Sequence, residues 1–295
     1  FPENLRIQGS EDMTTLEKMI REIKELTPMP AVANRLLEMI EEPDSSINDI
    51  ARIIQYDPVM TVDILKICNS AYLGLKIPAE SIKDAVNMLG TDQIVQLAMV
   101  KSSAKVLSGR QQGYGLEQGD MWLYSVSSAV IAKQVALRLG LNNKSTIFTA
   151  ALIKDIGKII LEKYVFKDYK KIDTLVKKSG YSFREAEKKV LGIDHAELGA
   201  LIGKIWKFSP RMIKLIQHHH LRDDSMMNDK EVAGVYLADC ICMMMGNGVG
   251  ADGLSYRFKD QLMKMHNISH SDITAIIAEF GVNMHEVKIL LKMAQ

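Results

Sequence analysis

Residues 150–160 read Ala-Ala-Leu-Ile-Lys-Asp-Ile-Gly-Lys-Ile-Ile, an aliphatic run that contains charged side chains. Apolar residues at intervals of three and four predict a helix that is buried over most of its surface. Asp155 lies inside this run, with Leu152 and Ile159 one turn away and Lys158 as the one charged neighbour at that spacing. Because a buried carboxylate costs on the order of several kcal/mol unless it is paired or bound to a metal, Asp155 requires a partner.

A second aspartate, Asp239, has similar surroundings. Its neighbours at helical spacing are Val235, Tyr236, Cys242 and Met243. Either each helix turns its aspartate toward solvent, or the two carboxylates share a buried cation. That cation would be a metal ion or the ammonium group of Lys154, which precedes Asp155 in the chain.

Histidine is confined to the last third of the chain. All seven histidines lie at or after His195, and the first 194 residues contain none. His195 stands at a predicted helix start, and His218–His220 follow in a row at the end of a later helix. A lone histidine is more often structural than a ligand. Three in a row, together with Asp155 and Asp239, also fit a His/Asp metal site.

The chain from Glu11 onward shows the periodicity of helices, with capping residues and prolines between them. No stretch alternates with period two and no internal repeat is visible, so we predict an all-α fold. The predicted helices that matter below are Ser46–Gln55, Val59–Asn69, Asp120–Leu139, Lys144–Lys163, Asp194–Lys207, Pro210–His220, Ser255–His266, Ser271–Phe280 and Met284–Met293.

We expect four segments along the chain. Residues 1–10 resemble an expression-tag remnant or a disordered tail. Residues 11–108 form an N-terminal helical subdomain, residues 109–245 a second helical subdomain, and residues 246–295 a C-terminal helical extension. The boundary between the subdomains is placed at Gly109–Gly119, the only glycine-rich stretch, which we interpret as a linker or mobile loop.

Composition narrows the class of protein. Hydrophobic residues at 47% and charged residues at 25% are typical of a soluble domain. No uncharged stretch is longer than Met121–Ala132, which is too short to cross a bilayer. Three cysteines without zinc-site spacing suit a reducing compartment. We therefore expect a cytoplasmic protein with no membrane partner.

The charges are distributed unevenly. Residues 1–100 hold 9 Lys and Arg against 16 Asp and Glu, whereas residues 101–295 hold 28 against 20. The predicted helices Ser46–Gln55 and Val59–Asn69 resemble a helix-turn-helix in spacing, but they lie in the acidic part. Because contacts to phosphates need a cationic surface, this charge argues against a nucleic-acid partner.

Several short motifs occur together in one order and spacing. They are Leu-Thr-Pro-Met-Pro at 26–30, Asp57-Pro58, Cys-Asn-Ser-Ala-Tyr at 68–72, Leu89-Gly90 and Asp155-Ile-Gly-Lys158. Over about residues 16–245 they closely resemble the HDOD family, a signalling branch of the HD-domain superfamily of metal-dependent phosphohydrolases. The resemblance implies an HD-domain or phosphodiesterase-like helical bundle over residues 109–245, preceded by the N-terminal subdomain.

The resemblance also implies a set of metal ligands. Active members of the superfamily use a histidine, a His-Asp pair and a distal aspartate, and two-metal relatives add histidines between them. On this chain these positions fall, in order, on Tyr124, on Lys154-Asp155, on His195 and His219-His220, and on Asp239. Both histidines of the primary metal are therefore replaced. A phenol with a reference pKa of about 10 is a poor ligand at neutral pH, and a charged ammonium group has no lone pair.

Two interpretations of this site follow. The Lys154 ammonium could lie between Asp155 and Asp239 and supply the positive charge of the missing metal. The remaining candidate ligands could instead hold one Fe, Mn or Zn ion, with water completing its shell. These ligands are Asp155, His195, His219, His220 and Asp239.

Two functions remain open. The loss of both primary histidines favours a non-catalytic signal-transduction module that binds a signalling protein or a regulatory domain, because metal-dependent hydrolysis needs a bound water and an open coordination position. The alternative is a divergent phosphohydrolase that uses the residual ligands. Residues 163–189, with nine Lys and Arg against four Asp and Glu, could attract a phosphate substrate or form a solvated helix face.

Overall fold

The computed structural model describes residues 14–26, 29–42, 46–70, 73, 75–221, 224–255 and 259–292. These residues form helices joined by short turns, with no β-strand among them. The predicted all-α class is confirmed. The predicted tail at residues 1–10, and parts of the motifs at 26–30 and 68–72, lie outside the described residues.

The N-terminal part is a group of packed helices, four of which begin after a residue whose side chain caps the helix. Thr14 forms a capping box with Glu17, and Asp57 caps a helix whose first residue is Pro58. These helices are α1 (Thr15–Glu25), α2 (Ala31–Met39), α3 (Ile47–Gln55), α4 (Pro58–Cys68), α5 (Ile82–Leu89) and α6 (Thr91–Leu107).

The second half is built around one central helix, α7 (Asp120–Arg138), which is buried on most of its surface. The elements that follow are α8 (Lys144–Ile153), α9 (Lys158–Ser179), α10 (Phe183–Leu191), α11 (His195–Ile205), α12 (Pro210–His218), α13 (Lys230–Met245), α14 (Asp260–Met265) and α15 (His270–Lys292). Helix α7 packs against α8, α13 and α15, and α6 connects the N-terminal helices to α8.

The predicted continuous helix Lys144–Lys163 is wrong. Helix α8 ends at Ile153, and the chain makes a tight turn before α9 begins at Lys158. In this turn the amide of Lys158 donates to the carbonyl of Asp155 at 2.9 Å, so the hydrogen bonds shorten from four residues to three. The turn brings Gly157 onto the start of α11, where an added Cβ would lie 2.0 Å from the carbonyl oxygen of His195.

We expected the glycine-rich stretch Gly109–Gly119 to be a linker or mobile loop, but the structure shows it packed against the core. Tyr114 in its centre is fully buried, and a Cβ on Gly113 would lie 2.3 Å from the carbonyl oxygen of Glu162 on α9. Gly113 is therefore needed for the close approach of two backbones, whereas Gly115 and Gly119 have positive φ angles that favour glycine. The position of the subdomain boundary stays a prediction.

The C-terminal extension also differs from its predicted pattern. The predicted helices Ser271–Phe280 and Met284–Met293 are one helix, α15, which passes through Gly281 without a break. Its apolar side chains form a single buried stripe from Ile273 to Leu290, and packing of this stripe outweighs the low helix propensity of one glycine. Helix α14 is shorter than the predicted Ser255–His266.

All three cysteines are buried, and none of them forms a disulfide bond. Within the described part of the chain, each helix is too short or too polar to cross a bilayer.

Two glycine substitutions test these packing assignments. Gly281→Ala should stabilise the protein by about 0.5–1 kcal/mol, because nothing lies within 4 Å of the added Cβ and alanine favours the helix. Gly157→Ala should destabilise it by about 1–3 kcal/mol, because the backbone of α11 leaves no room. Urea unfolding measures both, and equal effects of the two substitutions would contradict the assignment.

Candidate functional site

The candidate site lies where three parts of the second half meet. Helix α7 supplies Tyr124, the turn between α8 and α9 supplies Lys154 and Asp155, and α13 supplies Asp239. All four side chains are at most 4% exposed. The alternative in which the two aspartates face solvent is therefore wrong.

The ammonium group of Lys154 lies between the two aspartates. Its Nζ contacts Oδ2 of Asp155 and is 2.6 Å from Oδ1 of Asp239. The same Nζ stands 4.4 Å from the centre of the Tyr124 ring, over its face. The predicted position of Lys154 as a counter-ion between two carboxylates is the position that the side chain occupies.

Tyr124 is a hydrogen-bond partner of Asp239. Its hydroxyl group donates to Oδ1 of Asp239 at 2.6 Å. Tyr124 and Asp239 are 115 residues apart, so this bond ties the centre of α7 to the centre of α13. The phenol therefore acts as a hydrogen-bond donor at a position where the family resemblance implies a metal ligand.

A second ammonium group, that of Lys158, was not predicted to take part. Its Nζ is 2.9 Å from Oδ1 of Asp155 and donates to Oδ2 of Asp252 at 2.6 Å. Asp252 belongs to the C-terminal extension, for which the sequence offered no role. Lys158 was visible in the sequence as a charge one turn from Asp155, but Asp252 carried no such signal.

The histidine part of the site is organised by Glu187 of α10, a residue that the sequence analysis missed. The fully buried Glu187 carboxylate accepts hydrogen bonds from the backbone N–H of His195 at 3.0 Å and from its Nδ1 at 2.7 Å. Its other oxygen accepts from the hydroxyl of Tyr114 at 2.7 Å. Glu187 thus holds the His195 ring with Nε2 directed toward the other site residues.

His219 and His220 complete this side of the cluster. Nδ1 of His219 donates to the carbonyl of Ile216 at 2.7 Å, which leaves Nε2 as the lone-pair nitrogen. That Nε2 is buried without a hydrogen-bond partner and lies 3.8 Å from Oδ1 of Asp155. Nε2 of His220 lies 2.7 Å from Nε2 of His195, so one of these two nitrogens carries the proton between them.

The charges of the cluster hold its carboxylates ionised. Burial raises the pKa of Asp155, but the Lys154 and Lys158 ammonium groups outweigh burial and hold that pKa well below its usual range. Burial likewise opposes ionisation of Asp239, yet the Lys154 ammonium lowers its pKa overall. The pKa of Lys154 is raised despite burial because both carboxylates favour its charged form.

The three imidazoles respond differently. Burial disfavours the charged form of His195, but the Glu187 carboxylate outweighs it and raises the pKa. Burial lowers the pKa of His219 to about 4. Burial, followed by the neighbouring imidazoles, lowers the pKa of His220 well below its ordinary value. The site therefore keeps two neutral imidazoles beside one that favours a proton.

Four of the predicted ligands fit a metal ion. One donor atom from each of Asp155, His195, His219 and His220 lies within 4.8 Å of the others. Three nitrogens and one carboxylate oxygen suit Zn or Fe, and the unpartnered Nε2 of His219 is a lone pair available for such an ion. Asp239, the fifth predicted ligand, lies outside this group and is engaged by Lys154 and Tyr124.

The ammonium groups compete with an ion at this place. Oδ1 of Asp155, the oxygen nearest to His195 and His219, is already 2.9 Å from Nζ of Lys158. A divalent cation would have to share that carboxylate with two ammonium groups, which repel it. The site thus divides into a lysine side, around Lys154, and a histidine side, around His219.

A family model of the HDOD domain matches residues 26–221 of the chain. An uncharacterized protein of Treponema pallidum (strain Nichols) is 23% identical over 226 residues, which are 74% of this chain and 42% of that protein. The chain therefore spans less than half the length of that relative.

Solved structures show the same fold. An HDOD domain protein of unknown function from Geobacter sulfurreducens is 23% identical, with a TM-score of 0.72, over 94% of this chain and 97% of the other. A candidate phosphohydrolase from Shewanella amazonensis SB2B has 23% identity, a TM-score of 0.68 and coverages of 94% and 98%. A candidate signal transduction protein from Marinobacter aquaeolei VT8 has 17% identity, a TM-score of 0.69 and coverages of 95% and 64%.

Removal of the Lys154 charge should be costly. Lys154→Met keeps most of the volume but leaves Asp239 without its ammonium partner, so we expect a loss of about 3–5 kcal/mol in the free energy of unfolding. Lys177→Met, at an ion pair whose lysine is 61% exposed, is the matched control and should change stability by less than about 0.5 kcal/mol. Urea unfolding measures both, and an unchanged midpoint for Lys154→Met would sink the counter-ion role.

Glu187→Gln tests the anchor of His195. The substitution keeps the shape but removes the charge that accepts the Nδ1 and Tyr114 hydrogen bonds, so we expect a loss of about 1.5–3 kcal/mol in unfolding free energy. Glu279→Gln, at a 44% exposed side chain paired with Arg138, serves as the control in the same assay. Equal stability of the two variants would show that Glu187 does not hold the site.

Proposed function

The chain belongs to the HDOD family, and we propose that it acts as a non-catalytic signal-transduction module that binds a signalling protein or a regulatory domain. The observation that carries the proposal is the Lys154 ammonium group, which contacts Asp155 and Asp239 together. The family resemblance implies a metal between these two carboxylates, and the lysine supplies a positive charge at that place.

An ammonium group and a metal ion differ in what they do to water. A catalytic metal lowers the pKa of a bound water and keeps a coordination position open for the substrate. The Lys154 ammonium donates hydrogen bonds, has no lone pair and offers no open position. With Tyr124 also donating to Asp239, the lysine side of the site is suited to hold helices together rather than to activate a nucleophile.

Partner binding is supported by the surface of α4. Tyr56, which precedes this helix, is 79% exposed, and Val59 and Val62 on it are 66% and 49% exposed. Exposed apolar side chains grouped on one element are common at protein interfaces. This group lies in the acidic first part of the chain, so the preferred partner is a protein rather than a nucleic acid.

A divergent metal-dependent phosphohydrolase is the second candidate. It is favoured by the lone-pair nitrogen of His219 and by its convergence with Asp155, His195 and His220. These residues would hold one Fe, Mn or Zn ion, which would supply a polarised water when bound. His195 would keep its Nδ1 proton on Glu187 and give up the proton between its Nε2 and His220.

Metal content and turnover separate the two candidates. For the non-catalytic module, protein purified without chelator should contain less than about a tenth of an equivalent of Fe, Mn and Zn. It should not hydrolyse bis-p-nitrophenyl phosphate or cyclic dinucleotides with added Mn²⁺ or Fe²⁺. Elemental analysis and product release by absorbance and chromatography measure these outcomes.

Bound metal together with turnover would support the phosphohydrolase. Close to one equivalent of metal, with turnover that is lost in His195→Ala and His219→Ala, would overturn the non-catalytic proposal. His270→Ala, at an exposed histidine of α15, is the matched control and should keep any activity of the parent protein. Turnover that survives both His195→Ala and His219→Ala would be assigned to a contaminant.

A further inference from the structure

The segment of residues 246–253, which follows α13, lies across the lysine side of the site. Its Asp252 accepts a hydrogen bond from Nζ of Lys158 at 2.6 Å, and the two side chains are 10% and 4% exposed. The partners are 94 residues apart in the chain. The C-terminal extension therefore reaches back and places a carboxylate on a buried ammonium group.

The backbone of this segment is fitted closely to the site. Gly248 has a φ of +65°, and a Cβ added there would lie 2.3 Å from the carbonyl oxygen of Asp120 on α7. A Cβ on Gly250 would lie 2.3 Å from the carbonyl oxygen of Tyr114. The carbonyl groups that these glycines approach belong to the turn that carries Tyr114 and to the helix that carries Tyr124. The segment therefore packs directly against elements that line the site.

The carboxylate of Asp252 is not required for charge balance. Two ammonium groups, Lys154 and Lys158, face two carboxylates, Asp155 and Asp239, at hydrogen-bond distance. Asp252 is a third carboxylate in contact with this balanced set. Without it, Lys158 keeps its pairing with Asp155 at 2.9 Å, so Asp252 can leave without creating an uncompensated buried charge.

The space beside Lys158 admits nothing larger than water while Asp252 is in place. The void there has a volume of about 10 Å³, enough for about one water molecule, and it is lined by Gly248, Val249 and Asp252 of the segment. Lys158, Asp155 and Tyr124 also line it. While Asp252 is bound to Nζ of Lys158, this space is therefore too small for a ligand.

We propose that Lys158 is a binding site for a small oxyanion, such as a phosphate group, and that segment 246–253 is its built-in competitor. Asp252 occupies the oxyanion position, and the ligand binds when the segment lifts away. The aromatic rings of Tyr114 and Tyr124, whose centres are 5.4 and 5.9 Å from Nζ, help to hold the ammonium charge in this position. The proposal requires no metal and is independent of whether the module is catalytic.

Competition between the Asp252 carboxylate and a free anion should lower the apparent affinity of Lys158 for that anion. A carboxylate tethered by a short segment acts at an effective concentration of order millimolar or above, so it weakens the apparent affinity for a free anion. Removal of the Asp252 charge should therefore tighten phosphate binding by about tenfold or more. Displacement of the segment without a change of charge should act in the same direction.

Phosphate-dependent thermal stability of the full chain tests this. With inorganic phosphate as the probe and chloride at matched ionic strength as the reference, the phosphate-induced rise in Tm should be larger for Asp252→Asn and for Gly250→Ala than for the parent protein. Asp260→Asn, an exposed aspartate of the same extension, is the matched control and should behave like the parent. Addition of Lys158→Gln to Asp252→Asn should abolish the gain.

Hydrogen exchange of the parent protein decides the matter even if a variant fails to fold. Saturating phosphate should increase exchange of the amides in segment 246–253 while the core of α7 stays protected. Exchange in this segment that is unchanged at saturation, or a phosphate response that is equal in the parent, Asp252→Asn and the Lys158→Gln double variant, would overturn the proposal.

Discussion

Neutralisation of two carboxylates inside an apolar core is the constraint on which this structure depends. Asp155 lies in the turn between α8 and α9 and Asp239 lies on α13. Both are at most 2% exposed, so neither is stable as an ion without a cation beside it. Lys154 provides that cation to both aspartates at once. Because Lys154 and Asp155 lie in the turn between α8 and α9, and Asp239 lies on α13, the electrostatic requirement also fixes how these elements pack. The hydroxyl of Tyr124 extends the same requirement to α7.

Much of this site could be predicted from the sequence, since charged residues on apolar helix faces are conspicuous. Asp155, Asp239 and Lys154 were identified in this way and Tyr124 through the family resemblance, and the structure brings the four together. Glu187 was not identified because the sequence of its segment is typical of a charged, solvated helix. Its burial becomes visible only in the structure, where it contacts His195. The partners of such residues are set by tertiary contacts that leave no local signal.

The helix boundaries show the same limit. Residues 144–163 have the periodicity of one helix, and nothing local marks the turn that separates α8 from α9. The reason for the turn is the close approach of Gly157 to the start of α11, a contact between segments about 40 residues apart. Conversely, Gly281 suggested a break in α15, but the continuous buried stripe of that helix overrides the local preference. Capping residues were more reliable, because the cap and its target lie within one turn.

The adjacency of Lys154 and Asp155 has a consequence for how the protein matures. A metal-dependent site is complete only after an ion has been captured from the cell, and its stability then follows the supply of that ion. Here the cation is encoded in the polypeptide and leaves the ribosome directly before the carboxylate that it neutralises. Asp239 is synthesised later, at a rate of about 5–20 residues per second, when its partner is already part of the chain. The ion pairs on the lysine side therefore do not depend on the supply of iron, manganese or zinc.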